Sequence, residues 1–533
     1  MAAFPLAFAD LRAWIDYLER HGQLARVEAP VHWHSELGLV LRRAWDVYGD
    51  AAPALLFTNI IDYPPPGPHR LFTGALRGHH RLAMLMGLDP AAAGPAQLVE
   101  HLLELLHDRR RHLPPKQVHD GPVLENVLTG DAIDLFRFPI PHWNERDGGR
   151  YLGTLHCVIT RDPDSGACNY GTYRMQAFTA NEAAINISPS QHIGGHFAKH
   201  LRRRRPMEAA VVIGQEPALT LLATCPTHDP VAEIEVAGAL RGAPIEVVRC
   251  RTVDLEVPAH AEIVVEGYVD WQERRMEGPF GEFAGYHGMP PSPKPVFKVN
   301  AVLHRDDPIF RGTLEGHPVN EDHVMSSVLF SAYFTELLRR LGVPGVRRVA
   351  MPLDAAGYGH CVVSIRPSAA GQADMIAHAL WASRLSPFTV KHVIVVDEDI
   401  DPWNSEQVNW SIAWRVRATE DIKIWPRHRS LRTDPRIPPE EKDFCDRMLI
   451  DATRPVTWKP RSLWGYEGVE KGRPLRFPPS TKPSTVLARQ VNDGWQRYGI
   501  TPAPCYNGKP AGMMQSWWES DLIQQHIDGR MDP

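Results

Sequence analysis

Residues 324–341, VMSSVLFSAYFTELLRRL, constrain the fold of this 533-residue chain more than any other stretch. They form its most convincing helix, and they end on Arg339 and Arg340, where the helix dipole favours cations. Before them lies a long strand-rich region. After them strands and helices alternate, with strands at 345–352, 360–366 and 391–397 and a helix at 371–385. The helix therefore reads as the connection between two domains, in a chain longer than the ~250–300 residues at which one core stops growing.

Upstream, Leu11, Trp14, Ile15 and Leu18 share one stripe of a helix over 10–21, with Asp10 as N-cap and Gly22 as stop. The stretch 80–113 reads as helical, punctuated by Gly87, Pro90 and Gly94. Residues 151–161 and 169–178 read as a hairpin around the turn residues 162–166, and further strands are expected at 209–214, 245–250, 261–269, 296–304 and 308–313. From 453 to 482 the pattern is irregular, and helices at 484–498 and 516–528 close the chain. The last carries Trp517, Trp518, Leu522 and Ile523 and calls for a surface to cover.

Composition removes several classes. A net charge of −5 and a pI near 6.6 argue against nucleic acid as the main partner. Seven cysteines, odd in number and never spaced as CxxC, fit a reducing compartment and speak against disulfides or a thiolate zinc site. No basic n-region opens the chain and no run of 18 apolar residues occurs, so the expectation is a cytoplasmic protein without a membrane span. Neither GxGxxG nor a P-loop is present.

Three short stretches carry chemistry. In Glu277-Gly-Pro-Phe-Gly-Glu282 the intervening residues cannot continue a helix, so the two carboxylates stand at the ends of a tight loop able to aim both inward. One of them in a partly apolar site would serve as a general acid; the plainer alternative is an exposed turn with two solvated acids. On a strand, Asn169, Gly171, Tyr173 and Met175 face one way, while Tyr170, Thr172, Arg174 and Gln176 face the other. The second face carries a guanidinium suited to a carboxylate, or is simply a polar surface. Gln191 and His192 open a helix over 192–204, a place that favours phosphate. His192, His196 and His200 repeat every fourth residue, but no glutamate accompanies them as in HExxH, so His192 reads as functional by position and the other two as structural. Arg202 to Arg205 then cap the helix C-terminus.

These stretches, in this order, together with EIEVAGALRG (233–242), EGYVD (266–270) and KHVIVVDEDID (391–401), resemble the UbiD family of reversible decarboxylases, whose members include ferulic acid and other aromatic-acid decarboxylases. The resemblance runs to about residue 430 and is looser beyond. It implies an α/β (α+β) fold with a split β-barrel flavin domain joined by a long helix to an α/β oligomerisation domain. The implied divisions are an N-terminal α/β region (1–115), the prenylated-FMN and metal-binding barrel (116–322), the linker helix (323–342), a C-terminal α/β domain (343–480) and a helical tail (481–533). Residue by residue, Arg174, Glu277 and Glu282 match the family's catalytic network, with Glu282 as proton donor and Glu277 holding the Arg174 that grips the substrate carboxylate. Asn169, His192 and Glu233 match ligands of a divalent cation, Mn2+ or Mg2+, that bridges to the flavin phosphate, with Glu235 as the alternative to Glu233. Gln191, Thr224, Cys225 and Lys391 match cofactor contacts, Lys391 reaching the phosphate from the second domain. Residues 223–225 also match the segment near a K+ site, although the family often has Ser or Met there.

The implied chemistry is the cofactor's. Loss of CO2 from an sp2 carbon leaves an unstabilised carbanion, and the prenylated flavin forms a covalent adduct that takes up the charge before Glu282 protonates the carbon. The implied partners are a small carboxylic acid, CO2, a flavin prenyltransferase that supplies the cofactor, and a second copy of the chain in a homodimer or homohexamer. Rival readings are a phthaloyl-CoA-type decarboxylase using Arg202–Arg205 for the thioester, an ordinary FMN oxidoreductase, and a non-catalytic assembly protein. Substrate-pocket residues beyond the acid network are expected in 310–330 and 425–445.

Overall fold

The structure, a computed structural model, describes residues 8–227 and 232–458, together with Phe477, Gln490 and Trp495–Tyr498. The helix expected over 516–528 lies outside these residues, and that over 484–498 is described only at Gln490 and in a 3-10 turn at Trp495–Tyr498.

The N-terminal stripe folds as its spacing dictates. Helix Leu11–Arg20 buries Leu11, Trp14, Ile15 and Leu18, and the Asp10 carboxylate accepts from the Ala13 N–H at 2.8 Å. The helical stretch after 80 resolves into His79–Leu85 and Pro95–His107, the second opened by its proline. These helices flank a four-stranded sheet in the order Leu24–Val27, Ala54–Phe57, Arg70–Thr73 and Ile309–Arg311.

The centre of the molecule is a nine-stranded sheet. Its path runs Tyr151–Gly153, Met175–Thr179, Glu182–Ile185, Ser292–His304, Ile263–Glu277, Met207–Ile213, Cys157–Arg161 and Cys168–Gly171, and Asn126–Thr129 pairs with Ser292–His304. In its middle the sheet is covered on both faces. Along Met207–Ile213, Ala209, Val211 and Ile213 enter one core, while Ala210 and Val212 enter the other.

The expected hairpin of two continuous strands is corrected here. Cys157–Arg161 and Cys168–Gly171 do pair around the turn, but at one edge of the sheet, whereas Tyr151–Gly153 and Met175–Thr179 pair at the opposite edge. Residues 154–156 and 172–174 carry the chain from edge to edge. So few residues span at most about 15 Å, so the edges must approach and the sheet curls into a half-barrel with a seam. A pattern that alternates on both sides of the break gave no sign of it.

The connecting helix spans Glu321–Arg340, with Asn320 as N-cap accepting from the His323 N–H at 3.1 Å. Fourteen of its twenty residues are buried, so it is a core element and no exposed tether. Val324, Met325, Val328, Leu329 and Ala332 belong to the core of the preceding region, whereas Tyr333, Phe334 and Leu338 belong to that of the following one. Beyond it lies a five-stranded sheet in the order Val346–Ala350, Gly359–Ile365, Val390–Asp397, Phe444–Ala452 and Ile422–Arg429, its three central strands parallel. Among the described residues no helix is long and apolar enough to cross a membrane, and Cys157, Cys168, Cys225, Cys250, Cys361 and Cys445 are all free.

Candidate active site

The seam of the half-barrel opens into a cavity of about 300 Å³ lined by Thr154, Thr172, Tyr173 and Arg174 from the two linking segments. At the linking segment the backbone leaves the ladder: Thr172 gives its N–H to the Ala223 carbonyl at 3.1 Å and its hydroxyl to the His156 carbonyl at 2.8 Å. The two-faced strand expected over 169–176 therefore ends at Gly171, and Asn169, Tyr173 and Arg174 line one cavity.

Glu277 and Glu282 are brought to Arg174. Glu277 closes the strand Ile263–Glu277 and is 1% exposed, and Glu282 is 5% exposed, so the solvated-turn alternative is excluded. Arg174 grips Glu277 with two parallel bonds, Nε to Oε1 at 2.9 Å and Nη2 to Oε2 at 3.1 Å, and gives Nη1 to Glu282. Burial by itself would lower the Arg174 pKa, but the Glu282 and Glu277 carboxylates outweigh it and hold the guanidinium charged. Tyr151 donates its hydroxyl to Glu277 at 3.0 Å, and the Arg174 guanidinium lies 4.8 Å from the Phe280 ring centre.

The loop between the acids is pinned by its backbone. Gly278 has φ +92°, a conformation glycine adopts without cost, and its N–H meets Gln176 Oε1 at 2.8 Å. The Pro279 carbonyl accepts from the Gly148 N–H at 2.7 Å. Asp147, 7% exposed, accepts from the Gly281 N–H at 2.8 Å and contacts His287 Nε2 at 3.1 Å.

At another side of the cavity stand Asn169, His192 and Glu233, delivered by a strand end and the first residues of helices His192–Arg203 and Glu233–Arg241. His192 Nδ1 lies 3.9 Å from Glu233 Oε1, and the other Glu233 oxygen accepts from the Tyr170 N–H at 3.2 Å. Asn169 spends its amide N–H on the Tyr173 hydroxyl at 3.1 Å, which leaves Oδ1 as its acceptor. Burial pushes Glu233 up to about 7 and His192 down to about 4, the second helped by the Arg384 charge. One buried carboxylate, one neutral imidazole and one amide oxygen form a donor set that fits a hard divalent cation. Among the described residues no group of three or more His, Cys, Asp or Glu could hold a metal. His196 instead contacts the Thr160 hydroxyl at 3.0 Å. Glu235 does not line the cavity, so of the two glutamates Glu233 is the one placed there.

Thr224 and Cys225 also line the cavity, but the Thr224 hydroxyl donates to the Leu221 carbonyl at 2.7 Å, and burial pushes the Cys225 thiol up to about 12. Gln191 turns its Oε1 back to the Ser188 N–H at 3.2 Å. Lys391 is not among the lining residues; its Nζ pairs with Asp434 at 2.6 Å. Arg384, which no motif singled out, lines the cavity instead. It donates to the Ser190 and Thr227 carbonyls at 3.2 and 2.8 Å and contacts His192 Nε2 at 3.1 Å. Arg202–Arg205 lie at the far end of the helix that His192 opens, about 18 Å away by helix rise.

The remaining wall comes from Phe283, Glu315, Asp322, Ser326, Phe330 and Tyr358. Residues 310–330 thus supply lining side chains as expected, whereas 425–445 supply none. Asp322 accepts from the Tyr358 hydroxyl at 3.0 Å and the Ser326 hydroxyl at 3.2 Å. Glu315, Asp322 and Tyr358 belong to no motif, and only the fold brings them together.

Three family profiles match this chain, all of the UbiD type. They describe the N-terminal domain (15–103), the Rift-related domain (116–318) and the C-terminal domain (323–452) of 3-octaprenyl-4-hydroxybenzoate carboxy-lyase. Pyrrole-2-carboxylic acid decarboxylase of Pseudomonas aeruginosa is 32% identical over 508 residues, covering 93% of this chain and 99% of that protein. Among solved structures, the closed form of vanillic acid decarboxylase from Sedimentibacter hydroxybenzoicus superposes with a TM-score of 0.80 at 29% identity, over 92% of this chain and 99% of that one. An evolved dimeric form of the UbiD-class enzyme HmfF from Pelotomaculum thermopropionicum, in complex with prFMN, gives 0.72 at 31% identity, over 87% of this chain and 99% of that one.

Proposed function

The chain belongs to the UbiD family of carboxy-lyases, and from that membership we propose that it decarboxylates an aromatic, heteroaromatic or α,β-unsaturated acid with prenylated FMN, Glu282 supplying the proton that replaces CO2. The observation that carries the reading is the Glu277–Arg174–Glu282 arrangement, buried and facing a cavity at the barrel seam. Arg174 is a carboxylate receptor held rigid from behind: its bidentate bond to Glu277 fixes the plane of the guanidinium, and Nη1, now on Glu282, faces the cavity side. Glu282 shares that guanidinium edge and so sits beside any carboxylate bound there. When CO2 leaves, its carboxyl is placed to give a proton to the carbon left behind.

Bound prenylated flavin would supply the electron sink for the pair released from the breaking C–C bond. Asn169, His192 and Glu233 would hold the divalent cation, Mn2+ or Mg2+, that neutralises the flavin phosphate, and Arg384 adds a fixed positive charge beside them. The free cysteines among the described residues suit a cytoplasmic setting.

Co-production with a flavin prenyltransferase, followed by absorbance and mass spectra of the released cofactor and CO2 assays over aryl, heteroaryl and acrylic acids, tests this directly. Modified flavin and CO2 from at least one free acid are expected. Unmodified FMN alone, with no CO2 from any acid, would sink the reading, and CO2 only from coenzyme A thioesters would shift it to the phthaloyl-CoA type.

A further inference from the structure

The geometry points to a specificity device: the wall built from Glu315, Asp322, Ser326 and Tyr358 selects acids whose ring carries a hydrogen-bond donor, a hydroxyl or N–H, remote from the carboxylate, and it rejects a second carboxylate there. This names the substrate class of the proposed decarboxylase site and rests on that reading.

The Tyr358 hydroxyl donates to Asp322 Oδ2 at 3.0 Å, the Ser326 hydroxyl lies 3.2 Å from Asp322 Oδ1, and the two hydroxyl oxygens are 2.8 Å apart. Tyrosine and serine each have one proton, and both are used inside this triad. What remains to face a ligand is lone pairs. Glu315, lining the same cavity, adds another carboxyl, near enough to Asp322 and Glu282 that each acts on its charge. Among the described residues, the Lys or Arg side chains lining the cavity are Arg174, tied to Glu277 and Glu282, and Arg384, which belongs with His192. The wall is therefore rich in acceptors and short of donors.

Its flanks suit a flat ring. Phe283 stacks on Tyr358 with ring centres 4.0 Å apart, and Phe330 meets Tyr358 edge-on at 5.2 Å. Burial pushes Asp322 up to about 6, and burial together with the Asp322 and Glu282 charges raises Glu315. A ligand donor offsets that crowding, whereas a second carboxylate adds to it. A protonated Glu315 offers one donor of its own, so a hydroxyl that gives and takes is served better than an ether that only takes.

The test compares kcat/KM for CO2 release and, by calorimetry on the flavin-loaded protein, Kd for 4-hydroxy-, 4-amino- and 4-methoxybenzoate and terephthalate, with the matching cinnamates. The hydroxy and amino acids should surpass the methoxy acid by about tenfold or more, the worth of one hydrogen bond, and the diacid should be worst. Glu315→Gln and Asp322→Asn, checked for wild-type flavin content, should each bring the hydroxy-to-methoxy ratio several-fold closer to one. If wild type ranks methoxy with hydroxy or prefers the diacid, the inference is wrong, whether or not the variants fold. An unchanged ratio in both folded variants also overturns it. Absence of CO2 from every acid counts against the decarboxylase reading, and the binding series still decides the wall.

Discussion

Arg174 stands between two carboxylates that are nearly out of contact with water, and that placement separates what its neighbours do for folding from what they do for chemistry. Arg174→Ala leaves both acids buried without their cation, which costs about 3–5 kcal/mol, so a marked fall in Tm should accompany lost activity. Glu282→Gln keeps the volume and the Arg174–Glu277 pair, so Tm should hold within a few degrees while CO2 release drops by about 10²–10⁴-fold. Glu216 is a residue-scale case away from the cavity. It caps a short helix through the Ala218 and Leu219 N–H groups, and burial pushes its pKa from 4.5 to about 7. The folded state therefore holds this proton more tightly than the unfolded one, so its contribution is full below about pH 4.5 and is lost as pH rises toward 7. Glu216→Gln should flatten that loss, and the Tm difference from wild type should move in the variant's favour between those pH values. The pairing of Arg174 with Glu277 and Glu282 was legible through the resemblance of their stretches taken together, since each stretch alone reads equally as a surface turn or strand. Arg384 was not, since it lies in no motif, whereas Lys391 opens one yet is turned to Asp434.

The element that aims the acids is the turn after the strand Ile263–Glu277, and the segment around Asp147 fixes it. A Cβ on Gly148 would lie 2.0 Å from the Gly278 carbonyl oxygen, a backbone atom that cannot swing away. Gly148→Ala should therefore shift the turn, at about 1–3 kcal/mol of strain, and lower kcat with Asn169, His192 and Glu233 untouched. Flavin content, read from absorbance, should stay near wild type, which separates a displaced turn from a collapsed fold. Strand existence was legible from alternation here, but the seam was not. Tyr151–Arg161 and Asn169–Phe178 keep a strand-like composition across breaks at 154–156 and 172–174, and only the closure of the sheet shows that they change edges.

At the scale of the molecule, the cavity is a joint product of both regions, because the barrel supplies Arg174, His192 and Glu233 while Tyr358, Arg384 and Leu385 come from beyond the connecting helix. That helix, half in each core, holds the two together, and its role was legible because its length and apolar run set it apart. Arg384→Ala removes a positive charge that the far region brings to the His192 side of the cavity, where the flavin phosphate is proposed to bind, so flavin should be retained about tenfold or more less tightly on desalting, while Tm without flavin changes little. In the proposed mechanism Glu282 moves a proton to and from the reacting carbon. Exchange of product C–H with deuterium from solvent, followed by NMR on flavin-loaded protein without CO2, isolates that step. Wild type should exchange, and Glu282→Gln should exchange at least about 10²-fold more slowly; exchange at the wild-type rate in that variant would contradict this role for Glu282.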